Sequence, residues 1–162
     1  MADETPVTRT VALAQAMLAL VKEQFPTLAE SYALQVPNAD TGYRYENPVF
    51  DPALDAPLIV VAPSDWTQHG NSTGRGAGSI KRQQVVSLCG FCTGNDAQEV
   101  KRTLDGYADL LTSIIDGASF TGVHRHFVAS CDYTLPGVEQ GVSYQAFGLG
   151  INIEFTRAWG EI

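Results

Sequence analysis

Two cysteines and two histidines stand at spacings that thiol-redox sites and metal sites use. Cys89 and Cys92 form a C-x-x-C motif. In thiol oxidoreductases such a pair opens a helix, whose N-terminal dipole lowers the pKa of the first thiol. Here the next helix is predicted to begin near Ala97, too far along the chain for its dipole to act on Cys89. The alternative interpretation is a strand end with two small buried apolar residues.

His124 and His126 form an H-x-H motif on a predicted strand. Together with Cys89 and Cys92 they make a nominal four-ligand zinc set, although most zinc modules use tight knuckles on both sides. The plainer interpretation is a pair of solvent-facing histidines, because that face of the strand is otherwise polar. We therefore expect no metal and no cofactor.

No other constellation indicates catalysis. The chain has no G-x-S-x-G elbow, and its glycine-rich stretch at 74–78 precedes a strand, with no Lys-Ser or Lys-Thr after it. A phosphate loop would precede a helix. We expect that the protein is not an enzyme.

Residues 63–79 lack apolar periodicity and end in Gly, Ser, Asn and Thr. This composition predicts a long flexible loop or arm between two strands, and long loops in compact domains often carry function. Trp66, His69 and Arg75 favour contacts, so we predict that they bind a partner. An idle loop is the alternative.

Two helices are predicted. The first spans Pro6 to Phe25, with an apolar stripe at three- and four-residue steps, and Pro26 is expected to end it. The second spans Ala97 to Asp116 and starts with a capping box from Asp96 and Glu99.

Strands are predicted where apolar residues run together or alternate. The last one alternates most clearly, which is typical of a half-buried strand in an antiparallel sheet. The sequence therefore predicts a single domain over residues 1–162, an α+β fold with two helices on one face of a mostly antiparallel sheet. The predicted strands are Ser31–Val36, Leu58–Ala62, Ile80–Cys89, Val123–Tyr133 and Ser143–Thr156.

Composition excludes several classes of protein. The 162 residues carry a net charge of −8, which argues against a basic surface that wraps nucleic acid. The odd number of cysteines, Cys89, Cys92 and Cys131, favours a reducing compartment. The apolar run from Val11 to Val21 is interrupted by a polar residue and is too short for a bilayer, so neither a targeting peptide nor a membrane partner is expected.

This layout resembles the tail-terminator, or tail-completion, proteins of tailed bacteriophages, which join the tail to the head. The features that carry the resemblance are the opening helix, the arm at 63–79, the capped helix and the closing strand with Ile151-Asn-Ile-Glu-Phe-Thr. The resemblance covers most of the chain in layout and length. It implies no catalytic residue, and the C-x-x-C and H-x-H motifs are not part of it.

The resemblance implies a structural virion protein, assembled in the host cytoplasm. Such a subunit forms a ring, commonly a hexamer, that caps the head-proximal end of the tail tube and ends tube polymerisation. Its partners would be its own copies, the tail tube protein and the head-tail connector or stopper protein. Another phage neck component, or a small zinc-binding or thiol-redox protein, is the alternative.

Two physical expectations accompany this interpretation. The closing strand, 143–156, is expected to be an edge that pairs between subunits. An acidic ring could also let genomic DNA slide through its lumen without specific binding, since like charge gives no phosphate clamp.

Overall fold

The computed structural model describes residues 9–46, 56–71 and 79–158. Its two helices lie on one face of a mixed six-stranded sheet, which confirms the predicted α+β class. In chain order the elements are α1 (Arg9–Ser31), β1 (Tyr43–Tyr45), β2 (Leu58–Asn71), β3 (Ser79–Gly94), α2 (Ala97–Asp116), β4 (Val123–Tyr133), β5 (Gly137–Glu139) and β6 (Val142–Ala158).

The strand order is β1-β2-β3-β6-β4, and β5 also pairs with β6. Among the strand pairs that the structure describes, β1 and β2 run parallel and the others are antiparallel. The sheet is therefore mostly antiparallel, as predicted.

The main core lies between the helices and the sheet. Along β6 the residues of one parity, including Phe147, Leu149 and Ile151, are at most 1% exposed and meet the helices. This is the period of two that the sequence showed. A smaller apolar cluster, Leu58, Val60, Cys89, Phe91 and Ala146, is buried on the opposite face.

The first helix does not end at Pro26, as predicted, but continues to Ser31. A proline inside a helix removes one backbone hydrogen bond and crowds the preceding turn. Burial on both sides of it offsets that cost. Phe25 before it is fully buried with its ring edge-on to Tyr107 at 4.7 Å, and Ala29 after it is also fully buried.

The predicted strand at 31–36 is absent, because this segment forms the end of α1. Ala33 has a left-handed φ of 56°, and its N–H donates to the Glu30 carbonyl while Leu34 donates to that of Ala29. These bonds form a Schellman motif, which engages the N–H groups of Ala33 and Leu34 with the end of the helix and not with a neighbouring strand. The first strand, β1, lies between residues 36 and 58, where the sequence analysis predicted no strand.

The second helix matches its prediction at both ends. The Asp96 side chain accepts a hydrogen bond from the Glu99 N–H at 2.8 Å. In return, the Glu99 carboxylate accepts one from the Asn95 N–H at 3.2 Å, one residue before the cap. This arrangement satisfies N–H groups that the first turn leaves unpaired.

The segment between β2 and β3 is shorter than the sequence indicated. The backbone is extended up to Asn71 and again from Ser79, with Gly70 paired to Ile80. Residues 72–78 lie outside the described residues, so the prediction of a flexible loop stays a prediction for them.

Candidate interaction surface

The two cysteines of the C-x-x-C motif face opposite sides of the sheet. They lie inside β3, not at its end, and an offset of three residues in a strand reverses the side-chain direction. Cys92 accordingly packs in the main core and Cys89 in the smaller cluster. They cannot form a disulfide with each other or bind one metal ion together.

Burial also makes both thiols unreactive. Desolvation raises the pKa of Cys89 to about 11 and that of Cys92 to about 12. A redox nucleophile needs the opposite shift, because the thiolate is the reactive form. The alternative interpretation, in which the two cysteines are small buried apolar residues, therefore fits this motif.

The two histidines of the H-x-H motif do not share a surface either. A bulge in β4 between Val123 and Arg125 changes the direction of the side chains there. His126 points toward the helices, where its Nε2 lies 2.8 Å from the carbonyl oxygen of Ile115. His124 is exposed, with its Nε2 3.9 Å from a carboxylate oxygen of Glu154.

The nominal zinc set is therefore split between the two faces of the sheet. Across 9–46, 56–71 and 79–158, no three His, Cys, Asp or Glu side chains are grouped as metal ligands would be. Sequence spacing could not reveal this, because the bulge that separates the histidines depends on how β4 pairs with β6.

The three predicted contact residues fall in or near the β2–β3 hairpin. Trp66 and His69 lie in β2, where their backbones pair with Gln84 and Lys81. Arg75 lies outside the described residues. The prediction that these residues bind a partner stays a prediction, but two of them now belong to a strand instead of a loop.

The closing strand is not an edge, contrary to expectation. β6 pairs with β3 on one side and with β4 and β5 on the other. The edges are formed by β4 at one end of the sheet and by β1 and β2 at the other. Sheet pairing between subunits cannot use β6, because its backbone groups are already bonded within the chain.

The two edges of the sheet are not equivalent. Among the described residues, β1 covers β2 only from Ile59 to Val61, and the rest of β2 pairs with β3 alone, with one register shift between Pro63 and Trp66. β4 pairs only with β6, but two bulges interrupt it, one at each end of the stretch from Arg125 to Val128. Bulges protect a sheet edge, whereas a regular stretch, such as the one from Trp66 to Asn71 in β2, can accept another strand.

The sheet face opposite the helices is balanced in charge along β3, β4 and β6. Its exposed or half-exposed charged side chains are Lys81 and Arg125 against Asp132 and Glu154. Arg125 lies over the ring of Phe127, with 5.5 Å from its guanidinium carbon to the ring centre. This part of the face supplies no excess of acidic groups for a DNA-repelling lumen.

A polar cluster that the sequence analysis missed joins α2 to β4. Lys101 Nζ lies 2.5 Å from the Asp105 carboxylate, which also accepts a hydrogen bond from the Tyr133 hydroxyl. The Lys101 and Tyr133 contacts hold the pKa of Asp105 below its ordinary value. The i,i+4 spacing of Lys101 and Asp105 is visible in the sequence, but the tyrosine is 28 residues away and only the fold brings it there.

These three residues lie beside an open groove of about 690 Å³ between the start of α2 and the segment that joins β4 to β6. Lys101 and Asp105 line it, together with Arg102, Pro136 and Gln145. Each cluster member already has a partner within the chain. The arrangement therefore clamps helix to sheet, and it offers no activated nucleophile or base.

Comparison with models of known protein families and with curated proteins finds no match. In the parts of the chain that are described, neither helix combines the length and apolarity that crossing a membrane requires.

Proposed function

We propose that this protein is a structural subunit that assembles into a ring at the head-proximal end of a phage tail. The observation that supports the proposal best is the inequality of the two sheet edges. One edge has a regular stretch from Trp66 to Asn71 after a single register shift, and the other edge, β4, is interrupted twice. Edges that differ in this way favour contacts between different surfaces of neighbouring copies. Such head-to-tail contacts close into a ring when the rotation between copies divides the circle.

In this proposal the hairpin of β2 and β3 is the assembly arm. Its outer strand would add to a neighbouring subunit or to the tail tube protein through backbone hydrogen bonds, with Trp66, His69 and Arg75 giving specificity. The ring, a hexamer as proposed, would end tube polymerisation and offer its other surface to the head-tail connector or stopper protein. Genomic DNA would pass through without specific binding. The role is structural and located in the virion.

The first test is the absolute mass of the purified protein by light scattering, with negative-stain images of the same sample. A closed ring with a central hole is expected, either alone or with the tube protein added. A monomer that stays monomeric in the presence of tube protein would refute the assembly role.

The second test uses the tube protein as it polymerises. Adding this protein should stop elongation and shorten the tubes in proportion to its concentration. A ring that binds the connector protein but leaves tube length unchanged would refute tail termination and indicate another neck component.

Proline substitutions test the arm itself. Proline in an edge strand is tolerated only where its missing N–H would point outward. Successive N–H groups along a strand point alternately toward the neighbouring strand and away from it. Of single proline substitutions at Thr67 and Gln68, one therefore removes an N–H that points toward β3 and the other removes an N–H that points outward. The outward-facing position should keep the fold and abolish assembly, and a folded variant that still assembles would show that β2 is not the contact.

A further inference from the structure

The end of α2 is attached to β4 by two hydrogen bonds. A carboxylate oxygen of Asp116 accepts from the backbone N–H of Val128 at 3.1 Å. Two residues earlier in β4, His126 Nε2 lies 2.8 Å from the carbonyl oxygen of Ile115, the penultimate residue of α2. A carbonyl only accepts, so this nitrogen carries the proton.

The bond to Val128 lies in the middle of an edge strand. Because that N–H donates to a side chain of α2, it does not donate to β6, and it is one of the groups that an added strand would need. The bulges at the two ends of the stretch from Arg125 to Val128 already disturb the hydrogen-bond pattern of β4. Asp116 therefore bonds the last residue of the stretch from Arg125 to Val128, which keeps a regular register with β6, directly before the second bulge.

Helix stability does not explain an aspartate at this position. The last turn of a helix has partial negative charge, so a carboxylate is unfavourable there and a basic residue would be preferred. α2 has no basic residue in its last turn. The hydrogen bond to β4 accounts for the aspartate at this position, which helix electrostatics does not explain.

We propose that Asp116 closes β4 to strand addition, so that the protein associates through the β2 edge and not through both edges of its sheet. The closed edge would prevent copies from joining into open-ended sheets. The use of the β2 edge rests on the assembly arm proposed above, whereas the closing of β4 by Asp116 does not depend on the phage role.

The experiment compares the full-length wild-type protein with Asp116→Ala, Asp116→Asn and Asp109→Ala. The alanine variant removes the acceptor, and the asparagine variant removes the charge but keeps a side-chain oxygen that can accept. Asp109 is exposed on the same helix. Asp109→Ala therefore removes the same negative charge as Asp116→Ala and serves as its matched control. Two quantities are measured: mass by light scattering against concentration, and the hydrogen-exchange rate of the Val128 amide at low concentration.

Asp116→Ala should exchange the Val128 amide roughly fivefold faster than wild type, as expected for the loss of one hydrogen bond. Its mass should rise with concentration to at least twice that of the wild-type species. Asp116→Asn and Asp109→Ala should match wild type in both. The comparison is with the wild-type mass, whatever that mass is, so it stays valid if the ring proposal fails.

A second substitution identifies the surface that is used. Lysine at an edge strand discourages pairing, so adding Ala129→Lys on the exposed bulge of β4 to Asp116→Ala should restore the wild-type mass. The proposal is overturned if Asp116→Ala keeps the wild-type mass, if Ala129→Lys does not reverse the association, or if Asp116→Asn associates as well. The last result would assign the effect to charge and not to the hydrogen bond.

Discussion

Thiol labelling distinguishes the structure from the redox and zinc interpretations in one experiment. At pH 8 a pKa of about 11 leaves about one thousandth of Cys89 as thiolate, and a pKa of about 12 leaves about one ten-thousandth of Cys92. An unperturbed thiol is roughly one quarter ionised at that pH. Ionisation alone therefore slows alkylation by about two to three orders of magnitude, and Cys92, which is 0% exposed, also needs an opening of the structure.

Cys131 provides the internal reference. Its pKa is also raised, chiefly by partial burial, but it lies exposed on the edge strand. Iodoacetamide at pH 8, followed by intact-mass measurement, should give one adduct on the folded protein and three in urea. Cys131→Ser should remove the single adduct. Rapid labelling of more than one thiol in the folded protein would refute the burial of Cys89 and Cys92. A disulfide between these two residues that forms without unfolding would refute their assignment to opposite faces.

Three further predictions concern stability, measured by urea unfolding. Gly90→Ala should cost about 1–3 kcal/mol, because its Cβ would lie 2.4 Å from the ring of Phe147, whereas Gly148→Ala, which meets only a sulfur at 3.7 Å, should cost much less. Ala33→Gly should stabilise by about 1 kcal/mol by relieving a left-handed φ, and a loss would show that the Schellman motif is not formed. Asp105→Asn should lose less than about 1 kcal/mol at pH 7, since the pair is exposed. The depressed pKa of Asp105 means that its contribution is present above the unfolded-state pKa and disappears as pH falls through the folded one. Wild type and variant should therefore converge as the pH is lowered through this range, and a constant difference would contradict this.

Local signals determined several elements correctly. The second helix is specified by a cap, an apolar stripe and a following glycine, all within 22 residues, so its ends could be predicted. The last strand has strict alternation over many residues, which predicts both its type and its buried face. These features depend on neighbours in sequence, and the fold class follows from them.

The errors have causes that are distant in sequence. Pro26 lies inside α1 because tertiary packing of Phe25 and Ala29 outweighs a local preference to stop. β1 has only three residues, and it exists because β2 lies beside it. No window of sequence around either position contains this information.

The candidate surface divides in the same way. The sequence alone determined the residue types, the acidic balance and the presence of the four long strands, β2, β3, β4 and β6, and it predicts Trp66, His69 and Arg75 as contact residues. The tertiary structure decided which strands are edges: β6 lies inside the sheet and β4 lies at its edge. It also decided, through the bulges and the alternation of side chains, that the cysteines and histidines do not meet. The physical reason is that pairing between strands sets edge position and side-chain direction, and pairing joins residues that are far apart in the chain.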